Sequence, residues 1–168
     1  MAGALIVTAE LAPADFAWLD QLRRAYYPSD RNQLPAHLTM FHSLPPSAEG
    51  EARRTLARLA SNPSPRASTE GLMDLGGGVA FRVVSPELDA IRRELAADFR
   101  GLLSAQDSGG WRPHITIQNK VPLKEARALL ARLGAEFRPR PLRIAGLGLH
   151  RYLGGPWEAL ASYAFRGR

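Results

Sequence analysis

The sequence predicts an α+β fold made of two similar lobes, each a small antiparallel sheet flanked by helices, with pseudo-two-fold symmetry around a central cleft. Three observations predict it. After an initial strand, the order helix, strand, helix, strand, strand occurs twice along the chain. In both copies the short strand after the first helix carries a His-x-Thr sequence, and the next helix repeats Glu-Ala-Arg and Leu-Ala-Arg-Leu. Repeated elements and motifs of this kind indicate internal duplication.

The first strand and the first lobe are predicted from local signals. The first strand is expected at residues 4–11, which are apolar and contain β-branched residues. Pro13 suits the first turn of a helix, and apolar residues then recur every three or four positions as far as Tyr26. Three consecutive glycines between two later strands indicate a hairpin. The first lobe, about residues 12–84, is therefore expected to contain a helix at 14–26, a strand at 36–41, a helix at 51–59 and strands at 68–75 and 79–84.

The second lobe is predicted in the same way over about residues 85–165. Ser85 and Pro86 are typical N-cap and first-turn residues of a helix, and a polar loop is expected at 104–110. Residues 1–168 are expected to form a single domain that contains both lobes, since this length suits one domain. The other elements are expected as a strand at 114–119, a helix at 125–133 and a closing hairpin of strands at 142–150 and 157–165.

Composition restricts the classes of function and partner. Lys and Arg number 22 against 16 Asp and Glu, so the formal charge is +6 and anionic partners are favoured. The absence of cysteine excludes disulfides, thiolate catalysis and cysteine-based zinc sites. The first residues do not resemble a signal peptide, and no apolar stretch approaches the ~20 residues that cross a bilayer. We therefore expect a cytoplasmic monomer with no membrane partner.

The two His-x-Thr strands are the candidate catalytic elements. Because alternate residues of a strand point to the same side, His37 shares a face with Thr39, and His114 shares a face with Thr116. Histidine titrates near neutrality, so one imidazole of a pair can accept a proton while the other donates one. Threonine hydroxyls can hydrogen-bond the non-bridging oxygens of a phosphate, where charge develops. This set predicts phosphodiester chemistry, which needs no metal if the substrate carries its own nucleophile or a strained cyclic phosphate. No cofactor is expected.

The other two histidines are not expected in this site. His42 falls on the opposite strand parity from His37 and is interpreted as a loop or edge residue, and His150 ends a strand of the second lobe. Four histidines suggest zinc as an alternative, but the chain has no His-x-His or His-x3-His pair. No metal site is therefore expected.

Residues 37–40 (HLTM) and 114–117 (HITI) resemble the two signature tetrads of the 2H phosphoesterase superfamily. The whole chain resembles the 2′-5′ RNA ligase-like branch of that superfamily, which includes RNA 2′,3′-cyclic phosphodiesterases. The resemblance implies metal-independent hydrolysis or transfer at 2′,3′-cyclic or 2′-5′ phosphodiesters, on RNA ends or small cyclic nucleotides. By the same resemblance, the catalytic residues are His37 and His114, and the phosphate-binding residues are Thr39 and Thr116.

Other side chains near the tetrads are candidates for substrate contacts. Members of this branch often carry an arginine shortly after the second tetrad. Here those positions hold Gln118, Asn119 and Lys120, which leaves Lys120 as the candidate for that charge. Arg31 and Arg112 flank the tetrads in sequence and are candidates for phosphate contacts. Aromatic side chains near the site can stack on a base or else pack in the core: Tyr27, Phe41, Trp111 and Tyr152.

Two other functions remain open on the sequence alone. The chain could bind RNA ends or nucleotides without turning them over, or it could be a metal-dependent hydrolase. The presence of both His and Thr in both tetrads disfavours a degenerate binding module. The lack of a grouped acidic or cysteine ligand set disfavours a metal-dependent hydrolase.

Overall fold

The computed structural model describes residues 3–166, which form seven strands, five α-helices and one 3-10 helix at Pro46–Ala48. The predicted domain limits, residues 1 and 168, lie outside the described residues. The strands are β1 (Leu5–Leu11), β2 (Leu38–Leu44), β3 (Arg66–Asp74), β4 (Val79–Val84), β5 (His114–Gln118), β6 (Arg140–Tyr152) and β7 (Trp157–Ala164). The helices are α1 (Pro13–Tyr26), α2 (Glu49–Ala60), α3 (Pro86–Asp98), α4 (Ala105–Ser108) and α5 (Leu123–Glu136).

Several helix starts follow from the residues that the sequence supplies. α1 begins with Pro13, whose missing N–H costs nothing in the first turn. α3 begins after Ser85, and the Ser85 hydroxyl accepts a hydrogen bond from the Leu88 amide at 3.0 Å. No helix within residues 3–166 is long and apolar enough to span a bilayer.

Three elements differ most from the sequence prediction. The strand expected at 36–41 is β2, which begins at Leu38 and ends at Leu44, so His37 precedes it. The expected loop at 104–110 contains the short helix α4, which is capped by the Ser104 hydroxyl accepting from the Asp107 amide at 3.2 Å. Strand β6 extends past the expected 142–150 at both ends. Its N-terminal part pairs with β3, whereas its remaining part pairs with β1 and β7. A long strand is needed because it serves two groups of partners.

All strand pairs are antiparallel, which together with the helices confirms the predicted α+β class. The strand order is β2-β1-β6-β3-β4-β5, with β7 also paired to β6. Strand β6 therefore joins two four-stranded groups. The expected lobe limits, 12–84 and 85–165, do not separate these groups. In the first half of the chain, β2 belongs to one group and the hairpin β3–β4 belongs to the other. In the second half, β5 pairs with β4, whereas most of the hairpin β6–β7 lies in the group of β2.

The two His-x-Thr strands lie at opposite ends of the strand order, yet β2 and β5 contact each other. The sheet must therefore curve until its two outer strands meet. The predicted apolar face of each strand is confirmed, because Leu38, Met40, Ile115 and Ile117 are fully buried. The facing polar side chains are left at the junction of the two strands, where a cavity opens.

Candidate active site

All four site residues that the sequence predicted line one cavity of about 370 Å³ between β2 and β5. His37 directly precedes β2 and His114 is the first residue of β5. Each threonine follows two residues later, so the two strands present the same pair of groups from opposite walls. The remaining lining residues are His42, Arg92, Gln106, Asp107, Gly110, Trp111, Arg112 and Trp157.

The two imidazoles are held by the same local hydrogen bond. Nδ1 of His37 lies 2.8 Å from the carbonyl oxygen of Pro35, and Nδ1 of His114 lies 2.7 Å from the carbonyl oxygen of Arg112. A carbonyl can only accept, so in each ring Nδ1 carries the hydrogen. In the neutral form, Nε2 of each ring is then a free proton acceptor. The same kind of hydrogen bond to a backbone carbonyl therefore fixes the tautomer of both rings.

The threonines are held through their backbone and not through their hydroxyls. The Thr39 carbonyl accepts a hydrogen bond from Nε1 of Trp111 at 3.1 Å. The Thr116 carbonyl accepts one from Nη1 of Arg23 at 3.0 Å. These bonds satisfy carbonyl groups of the two outer strands, which a further strand would otherwise pair. Within residues 3–166 neither threonine hydroxyl has a hydrogen-bond partner, so both are available to a ligand.

The electrostatic setting of His37 keeps its ring neutral. Burial lowers the pKa of His37 to about 4 from its ordinary 6.5, and the positive charge of Arg23 acts in the same direction, against the hydrogen bond to Pro35. Trp157 covers the ring, with centroids 4.8 Å apart at an interplanar angle of 60°. An anion bound in the cavity would oppose this shift, because negative charge favours a protonated ring.

His42 also lines the cavity, so the parity argument that excluded it is wrong. Strand β1 pairs Thr39 and Phe41 with consecutive residues, which leaves Met40 without a partner. Met40 and Phe41 are accordingly both buried. Such a β-bulge moves the side chains directly after it to the other face of the strand. His42 therefore faces the same cavity as Thr39.

Arg92 and Trp157 were not predicted, and no local signal in the sequence marks them. Arg92 lies on α3, is almost fully buried, and donates from Nε to the carbonyl of Met40 at 3.1 Å. It thereby satisfies a carbonyl at the bulge. Trp157 opens β7, and it reaches the cavity because β7 pairs with the C-terminal part of β6. Both residues depend on contacts between elements that are distant in sequence.

The residues that the sequence suggested for substrate contacts fall into two groups. Arg112 and Trp111 line the cavity with the tetrads. Lys120, by contrast, lines a different cavity together with Arg31 and Tyr27, so it does not supply charge beside the tetrads. The other two aromatic candidates, Phe41 and Tyr152, line neither cavity; Phe41 packs in the core, with its ring 5.7 Å from that of Phe99.

A third cavity, of about 380 Å³, adjoins the tetrad cavity, and His37 and Trp157 line both. His150 lines this adjoining cavity, and its Nε2 lies 3.0 Å from the Thr8 hydroxyl. Burial lowers the pKa of His150, against the nearby carboxylate of Glu10. His150 thus lies beside the tetrad cavity and not in it.

A metal site in the described part of the chain would require a cluster of side chains that can bind the ion. Among these residues, no three His, Asp or Glu side chains are grouped so that they could hold a metal ion. The tetrad histidines each use one ring nitrogen for a backbone carbonyl, which leaves one nitrogen per ring for a substrate.

Comparisons with known proteins agree with this architecture. The family model of the 2'-5' RNA ligase superfamily matches residues 11–156. Among solved structures, TT0787 of Thermus thermophilus superposes with a TM-score of 0.67 at 20% identity, covering 98% of this chain and 99% of that one. E. coli LigT complexed with 3'-AMP gives 0.64 at 12% identity, covering 99% of both chains. LigT complexed with NADP+ gives 0.61 at 16% identity, covering 98% and 99%. No curated protein matches the chain by sequence.

Proposed function

Because the chain belongs to the 2'-5' RNA ligase superfamily, we propose that it hydrolyses 2′,3′-cyclic phosphodiesters on RNA ends or small nucleotides without a metal. His37 and His114 are the acid and base of the reaction, and Thr39 and Thr116 bind the phosphate. The observation that carries the proposal is the matched pair of imidazoles. Both rings donate Nδ1–H to the carbonyl two residues earlier. Both line one cavity with two hydroxyls that have no hydrogen-bond partner among residues 3–166.

The reaction balances with these groups and one water. The water oxygen forms a bond to phosphorus, and Nε2 of one histidine takes a proton from that water. The bond from phosphorus to one ribose oxygen breaks, and the other histidine gives its Nε2 proton to that oxygen. The product is a ribose phosphomonoester. The two threonine hydroxyls donate hydrogen bonds to the non-bridging oxygens, where negative charge grows in the transition state.

The charge of the cavity supports a phosphate ligand. Arg92 and Arg112 line it with three imidazoles, against the single carboxylate of Asp107. Positive side chains around a partly enclosed cavity attract anions and stabilise them there. The solved LigT complexes contain 3'-AMP and NADP+, which supports a nucleotide as the ligand class here.

The same groups support a 2′-5′ ligation. If the 5′-hydroxyl of a second RNA end takes the place of water, the base accepts its proton and that oxygen bonds to phosphorus. The bond from phosphorus to O3′ then breaks, the acid gives its proton to O3′, and a 2′-5′ linkage results. Hydrolysis and ligation then differ only in the nucleophile. The outcome depends on whether water or a second RNA end occupies the position in line with the departing oxygen.

The decisive experiment is turnover with a chelator present. The purified protein is incubated with adenosine 2′,3′-cyclic phosphate in excess EDTA, and products are separated by chromatography. We expect opening to a single adenosine monophosphate isomer. His37→Ala and His114→Ala serve as inactive controls, and circular dichroism confirms that they are folded. Loss of activity in EDTA that returns with zinc or manganese would contradict the proposal. Binding without turnover in the wild type would instead favour a nucleotide-binding module.

A further inference from the structure

A third histidine of the cavity is held by a buried carboxylate. Nδ1 of His42 lies 3.0 Å from Oδ1 of Asp107, whose side chain is 1% exposed. The same carboxylate accepts hydrogen bonds from the backbone amides of His42 and Ser43, at 2.9 and 3.0 Å. Burial opposes ionisation of Asp107, but these hydrogen bonds outweigh it, and the pKa of Asp107 is lowered. Asp107 is therefore a fixed negative charge at one end of the cavity.

The hydrogen bond from the His42 ring is not needed to hold this loop in place. The Asp107 carboxylate is already satisfied by two backbone amides, and its carbonyl accepts from Nη2 of Arg92 at 2.8 Å. What the ring contact does is orient the imidazole. With Nδ1 committed to Asp107, Nε2 is the only ring nitrogen left for a ligand, and the His42 side chain is 39% exposed. An oriented ring with one free nitrogen in a cation-rich cavity suits ligand recognition better than packing.

His42 lies too far along the strand to share a phosphate with the tetrad histidines. Five residues separate it from His37, about 16 Å of extended chain at ~3.3 Å per residue, somewhat less across the bulge. A phosphate oxygen must approach within about 3 Å of each donor. A phosphate held between His37 and His114 therefore leaves His42 for a group further along the substrate. Arg92 lines the same cavity and supplies a positive charge, and its Nη1 has no acceptor among residues 3–166.

We propose that His42 and Arg92 form a subsite for the phosphodiester next to the reacting cyclic phosphate, so that the preferred substrate is an RNA end of two or more nucleotides. The inference rests on the proposed function and names its substrate class. The phosphodiester lies against Nε2 of His42, the ring nitrogen that Asp107 leaves free, and against the guanidinium of Arg92. A hydrogen bond from this ring nitrogen and the charge of Arg92 hold the phosphodiester oxygens. A cyclic mononucleotide has no phosphate to place there.

The test compares two substrates and two forms of the protein. ApA>p, a dinucleotide that ends in a 2′,3′-cyclic phosphate, is compared with adenosine 2′,3′-cyclic phosphate by kcat/KM. We expect the wild type to favour the dinucleotide by about 10-fold or more, the effect of a hydrogen bond to a charged group. His42→Asn keeps an N–H that can reach Asp107 but has no atom at the position of Nε2. In that variant the preference should fall by a similar factor, mainly through KM for the dinucleotide.

Two controls separate charge and folding from recognition. Arg127→Gln removes one exposed positive charge from α5, outside the cavity, and should keep the wild-type preference. A dinucleotide with a neutral methylphosphonate linkage should lose the preference, because the proposed contact is to phosphate charge. If the neutral linkage keeps the preference, the second nucleoside is recognised through its base and the proposal is wrong. The proposal is also wrong if His42→Asn retains the full preference or if the wild type shows none.

A binding measurement separates this proposal from the proposed function. The probe is ApA, which has one phosphodiester and no cyclic phosphate, with adenosine as its control. Chemical shifts of the His42 ring are followed by NMR in labelled protein. ApA should shift the His42 ring signals and adenosine should not, whether or not turnover occurs. An unchanged His42 signal with ApA near saturation would overturn the subsite. Absence of cyclic phosphate opening, with the NMR shift intact, would overturn only the proposed reaction.

Discussion

The ring of His37 lies against the ring of Trp157, with centroids 4.8 Å apart at an angle of 60°. Trp157 lines both adjoining cavities together with His37. The indole also contacts His150, with centroids 5.3 Å apart. Burial is the main reason that the pKa of His37 is lowered to about 4. We expect the contact with the Trp157 ring to contribute to this burial.

The dependence of kcat/KM on pH should be a bell whose acid limb has its midpoint near pH 4. The reaction needs one protonated and one neutral imidazole, so activity is lost when both rings are protonated or both are neutral. In the free enzyme His37 stays neutral until the pH falls through about 4. The profile is the same whichever ring is the donor, because both arrangements carry one proton, and the limbs report the pair. Steady-state kinetics from pH 3.5 to 9 measure it. An acid limb near pH 6.5 would contradict the burial of His37.

Trp157→Ala should move this acid limb to higher pH. Removing the indole exposes the His37 ring to water, which lowers the cost of its charged form. The pKa of His37 should rise toward its ordinary 6.5. An NMR titration of the His37 ring gives the pKa directly and does not require turnover. If the titration midpoint of His37 is the same in both proteins, Trp157 does not control its solvation.

Replacing the tetrad histidines tests whether they act as one unit. His37→Ala and His114→Ala should each lower kcat by on the order of 100-fold or more, because each removes one partner of the proton transfer. The double variant should be little worse than either single one, since groups that act together are not additive. Arg127→Gln, with its exposed side chain outside the cavity, is the matched control. Near wild-type kcat in both single variants would refute the assignment of these histidines.

The part of the site that could be predicted from the sequence is the part in which side chains alternate regularly along a strand. Alternation along the two tetrad strands predicted that Leu38 and Ile115 would be buried and that His37 and His114 would face a common cleft. The structure has those side chains in that arrangement. A strand period of two is enforced by backbone geometry alone, so a single sequence carries it. The same rule failed at His42, because the bulge at Met40 adds one residue and the sequence contains no glycine or proline to mark it.

The rest of the cavity depends on long-range pairing that local patterns do not encode. Arg92 was an unremarked residue of a predicted helix, and it reaches the cavity because α3 packs near the bulge. Trp157 belongs to a hairpin that pairs with the strand group of the first tetrad instead of the second. The sequence order of the elements was predicted, but their exchange between the two groups was not. Its position shortly after the second tetrad made Lys120 the candidate for the missing charge, whereas the structure has Arg92 in the cavity.

The threonine hydroxyls should contribute less than the imidazoles. Thr39→Val and Thr116→Val keep the volume and branching of each side chain and remove only the hydroxyl. Neither hydroxyl has a protein partner within residues 3–166, so folding should be unaffected. Each substitution should lower kcat/KM by roughly 10- to 100-fold, the cost of one hydrogen bond to a charged group. Kinetics and thermal unfolding of both variants check this. A large loss of thermal stability would show that the hydroxyls are structural.

Gly78 should be essential for the position of the second tetrad strand. A Cβ at this residue would lie 1.8 Å from the carbonyl oxygen of Gln118 and 2.6 Å from Cα of Asn119, and both are backbone atoms that cannot turn aside. The φ angle of Gly78 is not positive, so lack of space is the reason that glycine is required. Gly78→Ala should force the end of β5 away from β4. We expect a loss of at least about 1–3 kcal/mol in the free energy of unfolding, and a fall in activity as Thr116 moves.

Gly134→Ala is the matched control, with an effect of opposite sign. Gly134 lies within α5, and a Cβ there would meet only Cδ1 of Leu72 at 3.9 Å, an ordinary contact. Alanine is a better helix former than glycine, so Gly134→Ala should raise the free energy of unfolding by about 1 kcal/mol. For a chain of this size that corresponds to a rise of roughly 2–4 °C in Tm. Thermal unfolding followed by circular dichroism, with kinetics on both variants, measures the contrast. If Gly78→Ala unfolded at the wild-type temperature with full activity, the close approach of β4 to the end of β5 described here would be wrong.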